Sequence, residues 1–212
     1  NPILQRLREE KAYRIPGGIY HELQIRMTYN SNHIEGNQLS EDQTRRIFET
    51  NTIDSEEKAD GIVDGADSSV GVVENTSIKV DDIVETVNHF RAIDYCIDVA
   101  EEPLSEDMIK HLHLLLKRGT SDELLPWFRV GDYKLRANVV GGVQTCDPKK
   151  VHEEISKLLA EYLAKTYLQL EDIVDFHYRF ERIHPFQDGN GRVGRLIAFK
   201  ECLKHNIVPF II

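Results

Sequence analysis

HPFQDGNGRVGR, His184 through Arg195, is the stretch on which the reading of this chain turns. It sets an imidazole, a carboxylate, a glycine-rich turn and two arginines within a dozen residues. His184 can take up a proton near neutral pH, and Asp188 offers the hard oxygen that Mg²⁺ prefers, alongside waters and substrate oxygens. Gly189, Asn190 and Gly191 make a turn with little Cβ obstruction, and Arg192-Val-Gly-Arg195-Leu-Ile-Ala-Phe reads as the opening of an apolar-sided helix. Backbone N–H groups at such a helix start carry partial positive charge, and arginine grips phosphate oxygens with a two-pronged fork. Arg192 and Arg195 share a helix face by their spacing of three. The combination predicts a site for the phosphates of a nucleotide.

The same residues resemble the HPFx(D/E)GNGRxxR motif of Fic proteins at every defined position. The resemblance implies an all-α fold, a Fic-type helical bundle with a small β-hairpin flap over the site. It also implies transfer of AMP from ATP to a Tyr, Ser or Thr hydroxyl of a target protein, the chain itself included. His184 would be the general base and Asp188 the Mg²⁺ ligand. Gly189, Asn190, Gly191, Arg192 and Arg195 would cradle the triphosphate. A second run, Ser31-Asn-His-Ile-Glu35-Gly36, resembles the [S/T]xxxE[G/N] signature of the inhibitory helix that some members carry ahead of the catalytic core. By that likeness Glu35 restrains the enzyme and Ser31 supports it. Glu85 and Asn88-His89 resemble an E-x-x-N turn of the family. The stretch from Trp127 to Gly142 mixes aromatic and β-branched residues with glycines and predicts a β-hairpin. It resembles the family's flap, which pairs with an extended segment of the target, and Tyr133, Lys134, Asn138 and Val139 are its candidate docking residues.

Three other functions compete. A Doc-type phosphotransferase would carry a motif resembling HPFxxANKR, against which Gly189 and Gly191 speak. A phosphodiesterase that removes AMP would use Glu35 to orient water. A nucleotide-sensing regulator without catalysis would have no need of His184.

Composition narrows the field further. With 212 residues, 41% of them hydrophobic, and a mean hydropathy of −0.41, the chain has enough material for one domain with a substantial core. A net charge of −10 argues against a nucleic-acid surface, which requires a basic face. Cys96, Cys146 and Cys202 are odd in number and far apart, so no disulfide framework or CxxC metal site is expected, which suits a reducing cytoplasm. No apolar run approaches the roughly 20 residues of a membrane span, and no charged-then-apolar leader opens the chain. The start at Asn1 and the apolar end Val208-Pro-Phe-Ile-Ile212 point to trimmed termini. A homo-oligomer is left open.

Patterning divides the chain into N-terminal helices over 1–50, an acidic loop or hairpin over 51–79, and a catalytic core over 80–212. Asn1-Pro2 opens a first helix to Tyr13, and Ile19 to about Ile34 a second that carries the Glu35 signature. Ser40-Glu-Asp-Gln caps a third, ending near Thr50. Residues 52–77 are acidic and rich in Gly and Ser, with two apolar patches, Ile62-Val63 and Val70–Val73, able to pair. Val80 to about Glu101 is the strongest amphipathic helix. Ser105 starts a helix over Met108–Lys117. There His111 and His113, two apart, point away from each other and read as ordinary histidines. Asp147-Pro148 caps a helix to about Thr166, and Glu171-Asp172 opens the one that delivers His184 and carries His177, read as structural.

Overall fold

The computed structural model describes residues 1–53 and 77–210. The pairing expected between Ile62-Val63 and Val70–Val73 lies outside the described residues. The described residues form eight α-helices and one two-stranded antiparallel hairpin. In chain order these are α1 (Pro2–Tyr13), α2 (Ile19–Ile34), α3 (Glu41–Thr50), α4 (Val80–Asp98), α5 (Glu106–Lys117), β1 (Val139–Val140), β2 (Val143–Gln144), α6 (Val151–Leu163), α7 (Leu170–Ile183) and α8 (Asn190–Lys204).

Local chemistry accounts for most of the ends. Asn1 caps α1 by accepting from the Leu4 N–H, Ser40 and Gln43 form a reciprocal capping box on α3, and Ser105 accepts from Met108 N–H on α5. The fourth helix is shorter than its pattern predicts, stopping at Asp98 rather than Glu101. Pro103 explains this, because the residue ahead of a proline is driven out of the helical region and the chain must already be turning. A turn closed by Glu102 N–H to Val99 O makes the break.

α8 runs through the centre of the bundle. Twelve of its residues are buried, Val193, Leu196, Ile197 and Phe199 among them, so it is enclosed on all sides instead of presenting one apolar stripe. α4, α5 and α7 pack around it through Ile93, Ile97, Leu112, Leu116, Phe176 and Phe180, which belong to one core cluster. Each such side chain contributes roughly 1.5–3 kcal/mol on leaving water. α2 lies against α4 and α8 through a face that is largely polar: Gln24, Thr28, Ser31 and Asn32 are all buried there. Thr28 Oγ1 meets His89 Nδ1 at 3.0 Å, and Asn32 Nδ2 donates to Thr86 Oγ1. Among the described residues, no helix is long and apolar enough to cross a membrane.

The hairpin corrects the expectation drawn from Trp127–Gly142. Only Val139–Val140 and Val143–Gln144 pair, around Gly141 and Gly142, both with positive φ as a primed two-residue turn requires. The residues before it do not form strand because their polar groups bond elsewhere. Lys134 N–H donates to Pro185 O at 2.9 Å and Asn138 Nδ2 to Phe186 O at 3.1 Å, so this segment is pinned to the loop between α7 and α8.

Candidate active site

The loop from α7 to α8 carries the site. α7 cannot continue past Ile183 because the next residue precedes Pro185. His184 caps the helix in a left-handed conformation, φ 52° and ψ 63°, its N–H bonded to Phe180 O. For a side chain with a Cβ that conformation costs roughly 1–2 kcal/mol. The loop is held closed from within. Asn190 accepts from Phe186 N–H at 2.8 Å and donates to Phe186 O at 2.9 Å, and the buried Phe186 ring stacks on His113 with centroids 4.0 Å apart. Gly189, at φ 80°, precedes the first residue of α8. No side chain caps that helix, so its first-turn N–H groups form a positively polarised end that can receive an anion.

On one side of this end lies a charged cluster. Lys117 is 2% exposed, and its Nζ reaches Glu85 Oε1 at 2.7 Å, Asp122 Oδ2 at 2.7 Å and Asp188 Oδ2 at 2.8 Å. Arg192, equally buried, places Nη1 2.6 Å from Glu85 Oε2 and Nη2 3.2 Å from Asp188 Oδ2, while its Nε has no hydrogen-bond partner among the described residues. Burial works to raise the Asp188 pKa, but Lys117 and Arg192 outweigh it and hold the carboxyl down at about 2. Three carboxylates and two cations leave one negative charge over, and Asp188 is the most exposed of the five, with 49% of its side chain accessible.

On the other side stands Arg195. Its Nε donates to Ser31 Oγ at 2.9 Å, and Nη2 donates to Ser31 O at 3.0 Å and to Glu35 Oε1 at 2.6 Å. The structure thus brings Ser31, Glu35 and Arg195 together across 160 residues of sequence. Glu35 sits at the C-cap of α2, and its carboxylate lies over the first turn of α8: a Cβ built on Gly191 would collide with Glu35 Oε1. A side-chain anion therefore rests where the helix end would receive a phosphate.

His184 faces a mixed surround. Burial lowers its pKa, with the Lys134 ammonium adding to the effect, so the imidazole is a neutral base at physiological pH. Nδ1 is buried with no side-chain hydrogen-bond partner among the described residues and lies 3.9 Å from Glu181 Oε2. Burial pushes the Glu181 carboxyl up to about 7. His177 abuts the same place: a Cβ on Gly194 would press on both Glu181 Oε1 and His177 Nδ1.

The four candidate docking residues part company. Val139 is 64% exposed on the hairpin edge, next to the exposed Val140 and Val143. Tyr133 and Lys134 are buried under the hairpin, and Asn138 bonds inward to Lys134 and Phe186, so none of these three presents its side chain outward as Val139 does.

Sequence reading passed over several residues of the site. His113, taken for an ordinary histidine, accepts the Gly131 N–H at Nδ1 and so donates from Nε2 to Asp188 O at 3.1 Å, fixing the backbone of the loop. Lys117 has no motif to betray it. Its only mark is a lysine on the apolar face of α5, next to Leu116. Glu85 was marked by its E-x-x-N spacing, and Asn88 of the same turn donates to Leu116 O and Arg118 O, closing the end of α5.

Comparison with known proteins converges on the same region. Residues 103–201 match the family model described as Fic/DOC family. A protein of Nematostella vectensis named protein adenylyltransferase Fic is 26% identical over 225 aligned positions, covering 97% of this chain and 45% of that protein, so the chain spans less than half of its length. A Fic domain containing signaling protein from Bacteroides thetaiotaomicron superposes with a TM-score of 0.72 at 23% identity, covering 99% of this chain and 75% of that one. Fic-1 from C. elegans does so with a TM-score of 0.68 at 20% identity, over 99% and 58% of the respective chains. These two likenesses show the fold. The family match spans the motif loop and most of α8, so residues 103–201 are similar to the Fic/DOC family.

Proposed function

We propose that the protein transfers AMP from ATP to a side-chain hydroxyl of a protein, and that Glu35 restrains it. The observation that carries the reading is the uncapped start of α8 beside a neutral, half-buried His184, with two arginines within reach of the same helix end. The name of the Nematostella relative points to the same chemistry. In the proposed reaction a target hydroxyl attacks the α-phosphorus, the new O–P bond forms as the bond to the β-phosphate oxygen breaks, and pyrophosphate leaves. His184 accepts the hydroxyl proton. Since Nδ1 is turned into the protein, Nε2 is the nitrogen for this role. The first-turn N–H groups of Asn190 and Gly191, the orphan Nε of Arg192 and the guanidinium of Arg195 hold phosphate oxygens, and catalysis rests mainly on positioning and charge.

Asp188 fits a Mg²⁺ that arrives with the triphosphate: it is ionised, half-exposed and carries the unbalanced charge of its cluster. Bound there, the metal would neutralise phosphate charge. Val139 and its neighbours on the hairpin edge offer backbone pairing to an extended target segment. Glu35 withholds Arg195 from the phosphates and occupies the anion position itself, which is the basis of the restraint. The need for ATP suits work in the cytoplasm.

ATP labelled at the α-phosphorus and ATP labelled at the γ-phosphorus, supplied separately, test the assignment. Label entering protein from the α position alone is expected. Label from the γ position would replace the reading with phosphotransfer, and AMP release from labelled protein without net labelling would replace it with hydrolysis.

A further inference from the structure

We propose that Lys134 is a positioning residue for His184, tying both stems of the flap hairpin to the backbone on which the imidazole is mounted. This rests on the AMP-transfer reading for its kinetic consequence, but its structural content stands apart from it.

Lys134 is 2% exposed and makes no ion pair among the described residues. Its ammonium donates to three neutral oxygens: Asn138 Oδ1 at 2.8 Å, Thr145 Oγ1 at 2.7 Å and Ile183 O at 3.4 Å. The first acceptor precedes β1 and the second follows β2, and the third belongs to the residue before His184. The same two segments are laced at four further points. Lys134 N–H donates to Pro185 O, Cys146 N–H to Ile183 O, Asn138 Nδ2 to Phe186 O, and Arg136 N–H to Gln187 Oε1. His184 therefore sits in a left-handed, strained backbone whose flanking carbonyls, at 183, 185 and 186, all accept from the flap root. A buried ammonium spent on neutral oxygens is expensive, and burial lowers its pKa to about 8. A methionine would fill that volume without the penalty, so packing alone does not account for a lysine here.

The arrangement does two things to His184. It fixes the direction of the ring by fixing the peptides on either side, and it holds an ammonium against the carbonyl of the preceding residue, a positive charge that disfavours the imidazolium. Among the described residues, the carboxylates of Asp188 in the loop and Glu35 at the end of α2 and the backbone of Glu181 on α7 favour the imidazolium, the Glu181 carboxyl itself lies 3.9 Å from Nδ1, and Lys134 is the cation opposing them. At neutral pH Lys134 is charged, and His184 is kept as a free base.

The test uses the full chain in the wild-type and Glu35→Gly forms, with Lys134→Met, Lys134→Arg and Thr145→Val in each. The first readout is the titration of the His184 ring by NMR, which needs no activity. Lys134→Met is expected to raise the His184 pKa, while Lys134→Arg leaves it near the parent value. An unmoved His184 titration in a folded Lys134→Met protein overturns the electrostatic half of the proposal. The second readout is self-labelling from α-labelled ATP, alongside ATP affinity by calorimetry. Lys134→Met is expected to lower the maximal rate by up to about 10²-fold, the loss typical of misplacing a reacting group by an ångström, with ATP affinity unchanged. Its acid limb moves to higher pH. Thr145→Val, which is isosteric and spares the ammonium, should give a smaller loss, and the double variant should be no worse than Lys134→Met because both act through one strut. Additive losses, or a rate loss matched by lost ATP affinity, overturn the positioning role. Where Lys134→Met does not fold, Thr145→Val decides: an unchanged rate overturns the proposal. If the Glu35→Gly parent takes up no α label, the AMP-transfer reading fails, and the NMR titration still decides the role of Lys134.

Discussion

Replacing Glu35 by glycine removes the carboxylate that lies across the start of α8, and the geometry of its ion pair bounds the effect. Glu35 Oε1 is 2.6 Å from Arg195 Nη2, with 27% and 11% of the two side chains exposed. At an effective dielectric of about 20, unit charges with centres ~4 Å apart attract by about 4 kcal/mol. Partial exposure screens this, and holding the side chains in one geometry consumes part of the remainder. If Glu35 restrains the enzyme as proposed, a net coupling in the usual range of roughly 1–3 kcal/mol corresponds to a rate increase of about 5- to 150-fold. Glycine suits the position, since Glu35 has an ordinary backbone conformation, φ −87° and ψ 6°, and ends the helix. The assay is the initial rate of label transfer from α-labelled ATP into the protein itself. Two further variants divide the effect. Glu35→Gln keeps a side chain over Gly191 without the charge, and Ser31→Ala removes the hydroxyl that holds Arg195 Nε at 2.9 Å. Glu35→Gln should recover part of the increase, and Ser31→Ala a smaller part. Unchanged initial rates in Glu35→Gly and Ser31→Ala, both folded by circular dichroism, would refute the restraint and leave the assignment of the motif loop standing.

His184→Ala is expected to lower labelling by about 10²- to 10⁴-fold while calorimetry shows ATP still bound; near wild-type labelling would remove the base. Val139→Pro, on the exposed edge of the hairpin, should impair labelling of a protein target more than ATP affinity by taking an N–H from the edge, and equal losses would indicate general unfolding instead. Arg192→Ala should destabilise the fold by about 3 kcal/mol or more in chemical denaturation, because it leaves Glu85 and Asp188 short of a buried partner. Arg195→Ala should do so by less than half as much, and equal losses would undo the distinction drawn between the two arginines. His89 is wholly buried with its pKa depressed to about 3, chiefly by burial, so the unfolded chain binds its proton more tightly than the folded one. Stability is then lost as pH falls from about 6.5 towards about 3, by about 2 kcal/mol between pH 7 and pH 5 from this group, and a His89→Gln variant with the same acid slope would show that the residue is not responsible.

The fold was legible where local signals act alone. Ser40 with Gln43 fixes the start of α3, and Pro2 after Asn1 fixes α1, since these caps depend on a few neighbouring residues. The motif loop was legible because its chemistry is compressed into consecutive positions. What stayed hidden are contacts that join distant parts of the chain. Lys117 meets Asp188 across 71 residues and Lys134 meets Ile183 across 49. A lone lysine in the apolar pattern of α5 gives no hint of the first, and the likeness to the flap points Lys134 at a target and not at Ile183. The hairpin was overextended for a related reason. Residues 133–138 have strand-like composition, yet their hydrogen bonds go to Pro185, Phe186 and Gln187, a partner that only the closed fold supplies.

Arg192 and Arg195 stand one turn apart on the same helix and are held in different ways, and this divides their work. Arg192 is fixed by Glu85 and Asp188 from α4 and the loop, elements whose Ile93, Ile97 and Phe186 lie in the apolar core. That partnership lasts as long as the fold does. Arg195 is held by Ser31 and Glu35 from α2, a helix that meets α4 through Tyr20 and Met27 in the core and, towards its C-terminal end, through Thr28 and Asn32 hydrogen-bonded to His89 and Thr86. Each such bond is worth only about 0.5–1.5 kcal/mol net, because water replaces it when the surfaces separate. The hydrogen-bonded C-terminal end of α2 is therefore cheaper to release than the apolar core that flanks Arg192. The hold on Arg195 thus rests on contacts that cost less to break than the support of Arg192, whose Glu85 partner has only 13% of its side chain exposed.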